Sequence, residues 1–469
     1  MPLLEIILIA LVILIAIATL ALLQRRLIAA AVLAVLIVLV CHLIWEGPHW
    51  QMAPAYLAVL LCAFMPLLSR NLIRTILAAS AIFLSLISCA FSIYLPIFKL
   101  PLPTGSYAIG TQIIPLVNEH PQAPGAALSN GKRPLMIQIW YPAAPSKAPL
   151  APYRILKETT LLSSYQAVVR THARWNAPFA SSPNSFPVLL LNPAWTGRRT
   201  YYMYLVEDLV SHGYIVVGID HTGNSGPTAF ADGHVDPPSQ DTSLDFSLHT
   251  IEETNKLGAQ AQAIQVEDNR FVLDQLNAWN QQPGNFYAGR LDMQRVGAFG
   301  HSFGGSVSAQ ICLEDPRVKA ALDLDGSFWG PIQGHGLAKP LMMIEEDYIQ
   351  YSPEDLKENR VDATDYAFDQ SDDLTMSHSN GYRAVLHGST HVSYTDRSLF
   401  SPFRRESGLG SIPALREYEI IRGYTLAFFN QTLRNIDSPL LSPENRTVPE
   451  ATFTILHRPA ELDQSSSSK

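Results

Sequence analysis

Residues 295–305 read RVGAFGHSFGG, and this stretch decides the fold. The apolar run Arg295–Phe299 has the length of a strand, and a helical pattern, Ser306–Leu313, follows it. Between them lies Gly-His-Ser-Phe-Gly, which has the form of a nucleophile elbow, a sharp strand-to-helix turn whose central serine needs small neighbours. Such a turn would project the Ser302 hydroxyl clear of the sheet, at the positive end of the following helix. The alternative, a glycine-rich turn with an incidental serine, is disfavoured by this strand–turn–helix setting.

Short apolar runs of strand length recur on both sides of the elbow and alternate with helical patterns. This alternation predicts an α/β domain, with a mostly parallel sheet and helices on both faces. The further strand predictions are Leu135–Trp140, Val188–Leu191, Tyr214–Ile219, Val318–Leu324, Leu341–Ile344 and Arg383–Leu386, and the further helix predictions are Tyr202–Ser211 and Ala261–Asn277.

A serine hydroxyl needs a histidine to accept its proton and a carboxylate to orient that histidine. In this architecture the chain order is serine, acid, histidine. His387 and His391 both follow the last predicted strand, and His391 lies deeper in the loop, so we predict His391 as the base. The spacing of the two histidines does not indicate a metal pair, because Gly388 disfavours a helix and no HExxH glutamate is present.

The residues alone do not decide which carboxylate orients the histidine. Asp323 and Asp325 end the strand that follows the elbow helix, whereas Glu345, Glu346 and Asp347 end the next one. Functional side chains collect at the carboxyl ends of such strands, so both positions qualify.

The composition excludes several classes of protein. With 469 residues, of which 48% are hydrophobic and 16% charged, the chain is neither a disulfide-framed mini-protein nor a disordered chain. Residues 101–469 carry a net charge of −11, so no basic face for a nucleic-acid partner is expected. Only Cys312 lies in that region, which excludes an intramolecular disulfide and a multi-cysteine zinc site there. No metal or organic cofactor is expected.

The first hundred residues differ from the rest, since they hold only five Lys and Arg and two Asp and Glu residues. Their apolar runs match the length of membrane-spanning helices. The recurrence of these runs, and the lack of Lys or Arg in Met1–Glu5, argue against a cleaved signal peptide. We therefore predict a transmembrane anchor at residues 1–97, a catalytic domain at 98–459 and a disordered tail at 460–469. The predicted spans are Leu3–Leu23, Leu27–Trp45, Gln51–Leu68 and Leu72–Tyr94.

The motifs together resemble a known family, the plasma and type II intracellular platelet-activating factor acetylhydrolases with their bacterial relatives, within the α/β-hydrolase superfamily. The resemblance covers most of residues 101–400. It implies Ser302 as nucleophile, Asp325 as acid and His391 as base. Asp347, which the residues alone leave open, is the alternative acid. It also implies an oxyanion hole formed by the backbone N–H of Phe303 and of a residue in the Asn192–Trp195 turn, assigned here to Trp195. The motifs that carry it are LPTGSYAIG at 102–110, IWYP at 139–142, SHGYIV at 211–216, GHSFGG at 300–305, Leu324-Asp325, PLMMI at 340–344 and GSTH at 388–391.

The sequence departs from the family pattern in two places. Pro193-Ala194 replaces the usual His-Gly before the second oxyanion donor, and the four-helix N-terminus has no counterpart in the animal enzymes. The expectation is a membrane-anchored serine ester hydrolase acting on ester or lipid substrates of the short-acyl or oxidised phospholipid type. The alternatives are a general carboxylesterase or polyester hydrolase, and a non-catalytic membrane scaffold. Tyr153–Trp175 is expected to form a cap or helical insertion, or else an ordinary surface helix pair.

The arginines between the predicted spans indicate the orientation of the chain. Arg25 and Arg26 precede the second span, and Arg70 and Arg74 lie just before and at the start of the fourth, so both turns should face the cytoplasm. The N-terminus and the catalytic domain should then lie on the extracytoplasmic side, which in a bacterial inner membrane is the periplasm.

This orientation predicts that alkaline phosphatase fused after Lys469 is active in a bacterial host, whereas a reporter that works only in the cytoplasm is silent. The opposite pattern would contradict the orientation and require an odd number of spans. Gln51–Leu68 would then be the span to discard, because Pro54 and Pro66 lie within it.

Overall fold

The structure is a computed structural model that describes residues 1–21, 24–126, 128, 131–181, 185–230, 232–237, 244, 248–347, 352–358 and 363–459. The chain divides into two compact units. The first, called here the helical unit, comprises Met1–Leu100, Pro152–Arg170 and Arg397–Ser407. The second, called the sheet unit, comprises Pro101–Ala151, Thr171–Asp396 and Gly408–Lys469. The predicted tail at 460–469 lies outside the described residues.

Four long helices form most of the helical unit. They bury small and branched apolar side chains against one another, among them Leu8, Val12, Ala55 and Ala81. The third is extended at both ends by short 3₁₀ turns, so that Trp50–Leu67 is helical throughout. All four are long and apolar enough to cross a membrane, judged by length and composition. The helices are α1 (Leu3–Leu20), α2 (Arg25–Trp45), α3 (Ala53–Phe64) and α4 (Asn71–Tyr94).

Strands and helices alternate through most of the sheet unit, as predicted. The strands are β1 (Ala108–Asn118), β2 (Arg133–Ala143), β3 (Leu150–Pro152), β4 (Arg170–Trp175), β5 (Phe186–Asn192), β6 (Ile215–Asp220), β7 (Thr228–Ala229), β8 (Val235–Asp236), β9 (Leu291–His301), β10 (Val318–Leu324), β11 (Pro340–Glu345), β12 (Asn380–Leu386) and β13 (Ala451–Leu456). The helices are α5 (Met203–Ser211), α6 (Ile251–Gln281), α7 (Phe303–Glu314), α8 (Pro353–Lys357), α9 (Ala363–Ser377) and α10 (Ala414–Arg434).

Eleven of the described strands form one sheet in the order β13-β12-β11-β10-β9-β5-β6-β2-β1-β4-β3. The central run from β6 through β5, β9, β10 and β11 to β12 is parallel. Its inner strands are buried on both faces, as the near-continuous apolar sequences of β5 and β10 require. The α/β fold class predicted from the sequence is therefore confirmed.

The pairing register brings the carboxyl ends of the central strands to one edge. Gly300 of β9 pairs with Asn192 of β5 on one side and with Asp323 of β10 on the other. Leu324 of β10 pairs in turn with Ile344 of β11. The loops that follow these strands therefore start side by side, which is the arrangement that open α/β sheets use for ligand sites.

The segment 153–175 differs from the expected helical insertion. It contains two short 3₁₀ turns, Leu156–Glu158 and Ser164–Ala167, and then the strand β4, which pairs in parallel with β1. The helical interpretation is therefore wrong here. Residues 170–175 alternate in burial as a strand does, and their pairing with a strand some 60 residues earlier is not visible in a local pattern.

Candidate active site

The elbow predicted at Ser302 is present between β9 and α7. Ser302 has φ 56° and ψ −128°, a conformation that is rare for a residue with a side chain. Its N–H donates to the carbonyl of Leu324 at 2.9 Å, and its own carbonyl accepts from Gly305 N–H at 2.9 Å. These two bonds fix the strained turn to the end of β10 and to the first turn of α7.

The glycines around Ser302 are required by close backbone approach. A Cβ on Gly300 would lie 2.2 Å from the backbone of Gly304, and one on Gly304 would lie 2.1 Å from the carbonyl oxygen of Asn192. Neither backbone atom can move away as a flexible side chain could. The G-x-S-x-G pattern therefore reflects the space available at the end of β9.

The predicted acid and base are hydrogen-bonded to each other. Asp325 Oδ2 lies 2.6 Å from His391 Nδ1, and Asp325 Oδ1 accepts from the backbone N–H of Glu346 at 2.6 Å. The Asp325 side chain is 6% exposed and that of His391 is 48% exposed. Because a carboxylate holds Nδ1–H, neutral His391 carries its lone pair on Nε2, as a general base requires.

The other candidate pair is engaged elsewhere. Asp347 Oδ1 lies 2.8 Å from His387 Nδ1, and Asp347 Oδ2 accepts from Gly388 N–H at 2.6 Å. Both side chains of this pair are 53% exposed. Asp347 and His387 thus form a surface pair, whereas Asp325 and His391 form the pair beside the elbow strand.

Asp323, the remaining candidate on β10, is fully buried against the elbow. A Cβ on Gly305 would lie 1.8 Å from its Oδ1. Burial, together with the negative charges of Asp372 and Asp325, holds the pKa of Asp323 well above its ordinary value. A neutral carboxylic acid at this depth avoids the cost of an unpaired buried charge.

A tight turn at Ala194–Gly197 follows β5 on the other side of the elbow. Gly197 N–H donates to the carbonyl of Ala194 at 2.7 Å, and Thr196 has φ 57°, which is strained for a β-branched residue. The turn presents Trp195, whose ring contacts that of Phe303 nearly edge-on at 5.0 Å. The two residues predicted to supply oxyanion donors are therefore neighbours.

A cavity of about 690 Å³ opens at this edge of the sheet. Aromatic rings and carboxyl groups line it together, and it includes every residue predicted for the site as well as Asp347. Its lining comprises Trp195, Leu244, Ser302, Phe303, Asp325, Gly326, Ser327, Trp329, Met343, Glu345, Glu346, Asp347, Asp365, Phe368, Asp369, Asp372, Arg383 and His391. Within the described ranges, no three histidine, cysteine or carboxylate side chains are placed to hold a metal ion.

The carboxyl groups of the cavity affect the base. Partial burial lowers the pKa of His391, but the hydrogen bond and charge of Asp325 and the charge of Glu346 outweigh it, so the pKa is raised. Burial also raises the pKa of Asp372 to about 8, against the hydrogen bond that this carboxyl accepts from Phe328 N–H. The negative charges of Asp325 and Glu346 therefore favour the imidazolium form of His391.

Sequence reasoning missed the wall of the cavity contributed by α9. Phe368, Asp369 and Asp372 come from this helix, and Arg383 on β12 bonds to Glu345 at the end of β11. A helical pattern between two predicted strands, rich in aspartate at 365–373, was the available signal. Its position over the cavity depends on the connection from β11 to β12, which no motif marks.

Comparisons with known proteins show which family this chain belongs to. Residues 138–433 match the family model described as platelet-activating factor acetylhydrolase, isoform II. A probable 1-alkyl-2-acetylglycerophosphocholine esterase from Arthroderma benhamiae is 25% identical over 58% of this chain and 66% of its own length. The platelet-activating factor acetylhydrolase of Cavia porcellus is 27% identical over 40% of this chain and 46% of its own length. The matched region thus spans less than two thirds of these curated relatives.

A solved structure extends the likeness to the fold. The ferulic acid esterase from Streptomyces cinnamoneus superposes with a TM-score of 0.61 and 30% identity, over 76% of this chain and 99% of the esterase. The resemblance inferred from the motifs is therefore confirmed, and because the family model matches more than half of the chain, the protein belongs to the platelet-activating factor acetylhydrolase isoform II family.

Proposed function

We propose that this protein is a serine hydrolase of carboxylic esters whose nucleophile is Ser302. The observation that carries the proposal is the 2.6 Å hydrogen bond between Asp325 and His391, at a cavity that Ser302 also lines. A strained serine, an oriented histidine and a buried carboxylate at one cavity are the parts that acyl transfer needs. The family and its esterase relatives support the same reaction class.

The proposed reaction has two halves. His391 Nε2 accepts the Ser302 proton as Oγ attacks the ester carbonyl, and the imidazolium then protonates the leaving alcohol. Water, activated by the same Nε2, attacks the acyl-enzyme and releases the acid. Asp325 stabilises the imidazolium in both halves and keeps Nδ1 protonated.

The oxyanion of each tetrahedral intermediate would be bound by backbone N–H groups. Phe303 is the first residue of α7, so its N–H lies at the positive end of the helix dipole. The second donor proposed is Trp195, which the strained turn at Thr196 presents beside Phe303. Such preorganised donors supply a large share of the rate enhancement in acyl transfer, typically about 3–4 kcal/mol for one donor.

The proposed substrate is a lipid-like ester, of the 1-alkyl-2-acetylglycerophosphocholine or short- and oxidised-acyl phospholipid type. The fungal relative, whose name gives that activity, supports it. Four apolar helices would anchor the enzyme in the membrane where such lipids lie, with the catalytic domain at residues 98–459 on its extracytoplasmic face. Bacterial inner membrane is the proposed location.

A general carboxylesterase or polyester hydrolase is the second candidate. A cutinase from Thermobifida cellulosilytica is 21% identical over 30% of this chain, and the ferulic acid esterase is another relative outside the phospholipid class. A panel of esters that varies acyl length and head group separately distinguishes the two. Preference for a glycerophospholipid over a p-nitrophenyl ester with the same acyl chain supports the first.

Ser302→Ala should abolish ester hydrolysis and covalent labelling by a fluorophosphonate probe while leaving the protein folded. Loss of a triad nucleophile typically costs about 10⁴-fold or more in kcat. The measurement is kcat on a short-chain ester, with circular dichroism to verify folding. The exposed Ser106→Ala is the matched control and should keep full activity. Retention of more than about a tenth of the activity in Ser302→Ala would be far outside that scale and would exclude Ser302 as nucleophile.

Asp325→Asn should lower kcat by roughly four orders of magnitude, because an amide in place of the carboxylate favours the wrong imidazole tautomer. Asp347→Asn is the matched control, since Asp347 bonds to His387 instead, and it should keep most of the activity. An inactive Asp347 variant beside an active Asp325 variant would place the acid in the loop after β11.

The charge around His391 predicts a pH dependence. Activity falls as His391 becomes protonated, and its raised pKa places the midpoint of the acid limb of kcat/KM above about 6.5. Glu346→Gln removes one of the negative charges that raise this pKa, so the midpoint should move to lower pH. The exposed Glu444→Gln is the control. A midpoint that stays in place, or rises, in Glu346→Gln would contradict the electrostatic argument.

A further inference from the structure

His301, the residue before Ser302, contacts the main chain of the proposed base. Its Nε2 lies 2.8 Å from the carbonyl oxygen of His391, and the two imidazole rings lie 4.7 Å apart at 35°. His301 ends β9 and is only 4% exposed. The last residue of the elbow strand therefore also contacts the loop that carries the base.

The partners of His301 determine where its proton lies. A carbonyl oxygen can only accept, so Nε2 must be the donor, and in the neutral ring Nδ1 is then an acceptor. Nδ1 lies 3.3 Å from the Tyr202 hydroxyl, which can donate to it. The oxygen of that hydroxyl accepts in turn from the backbone N–H of Ala194 at 3.0 Å.

Every group in this chain of hydrogen bonds donates or accepts as its chemistry allows. Ala194 N–H donates to Tyr202, the Tyr202 hydroxyl donates to His301, and His301 donates to the carbonyl of His391. Tyr202 is fully buried, and burial raises the pKa of its hydroxyl, so it stays protonated and able to donate. In such a low-dielectric site each bond is stronger than in water, and breaking one leaves a polar group without its partner.

We propose that His301 is a positioning residue, which acts with Tyr202 to hold the His391 loop and the Ala194–Gly197 turn in register with the nucleophile elbow. The inference rests on the proposed function, because it matters only if His391 is the base and Trp195 an oxyanion donor. His301 does not take part in proton transfer; its two nitrogens are engaged by Tyr202 and His391. A shift of about 1 Å in such a group can cost roughly 10²-fold in rate.

Three variants separate the bonds from the bulk of the side chains. His301→Phe keeps a ring but removes both bonds. His301→Gln restores a donor near the position of Nε2, and Tyr202→Phe removes only the hydroxyl. Tyr214→Phe is the matched control, because Tyr214 is also fully buried and its hydroxyl also donates to a side chain, Asn430 Oδ1 at 2.9 Å. Tyr214 precedes β6, at the opposite, amino end of the strands.

The measurement is kcat and KM on a short-chain ester for the full-length protein. The maximal rate is divided by the concentration of active sites, titrated with a fluorophosphonate, so that kcat is expressed per active site. This titration removes the effect of any unfolded fraction. A residue with a merely structural role would change that fraction but not kcat per titrated site. We expect His301→Phe to lose about 10- to 100-fold in kcat per titrated site with little change in KM. His301→Gln should recover a large part of that loss, and Tyr202→Phe should show a smaller one.

The bonds form one chain, so the double variant His301→Phe/Tyr202→Phe should be no slower than His301→Phe alone. An unchanged kcat per site in His301→Phe, a His301→Gln variant as slow as His301→Phe, or losses that add would overturn the proposal. If His301→Phe does not fold, Tyr202→Phe and His301→Gln decide in the same way. Each should have a lower kcat per titrated site than the wild type, and an unchanged kcat in both would overturn the proposal. Wild-type protein that neither reacts with the phosphonate nor cleaves esters would instead refute the proposed function.

Discussion

The close approach of two backbones, at Asn192 and Gly304, is the constraint on which the site depends. The carbonyl oxygen of Asn192 lies 2.1 Å from where a Cβ on Gly304 would be. This contact brings the turn after β5 against the first turn of α7, so that Trp195 and Phe303 become neighbours. The Asn192 side chain is held as well, since it donates to Ser308 Oγ at 3.0 Å and accepts from Asn269 at 2.7 Å. A residue with a side chain at position 304 would separate the two halves of the proposed oxyanion hole.

Much of the fold was predictable because its signals are local. The central strands appear as short apolar runs bounded by turn residues, and the structure has strands at each of these runs. The elbow is marked by its motif, and the structure has the strand β9 before it and the helix α7 after it. The segment 153–175 was misjudged because β4 owes its conformation to pairing with β1, a distant partner. A strand that depends on a non-local partner has a weak pattern of its own.

The candidate site was less predictable than the fold. Ser302 follows from a motif, but Asp325 and Asp347 both end strands, and the residues alone could not separate them. What distinguishes the two in the structure is their partners, His391 for Asp325 and His387 for Asp347. Tyr202 carried no signal at all, because its contact with His301 joins positions about 100 residues apart through the tertiary fold.

The positions of the site residues differ in how they are fixed. Ser302 and Asp325 each follow a strand whose register is set by parallel neighbours, so the sheet itself places them. His391 lies five residues beyond the end of β12, in a loop where no ladder of strand bonds holds it. Its place depends on separate contacts: Asp325 at its ring, His301 at its carbonyl, and the Thr390–Ser393 side-chain bonds that begin its 3₁₀ turn. We therefore expect the base to be the member of the site most sensitive to the loss of a single hydrogen bond. Two of the bonds that hold it, from His301 and Asp325, come from the same strand ends that hold the serine and the acid.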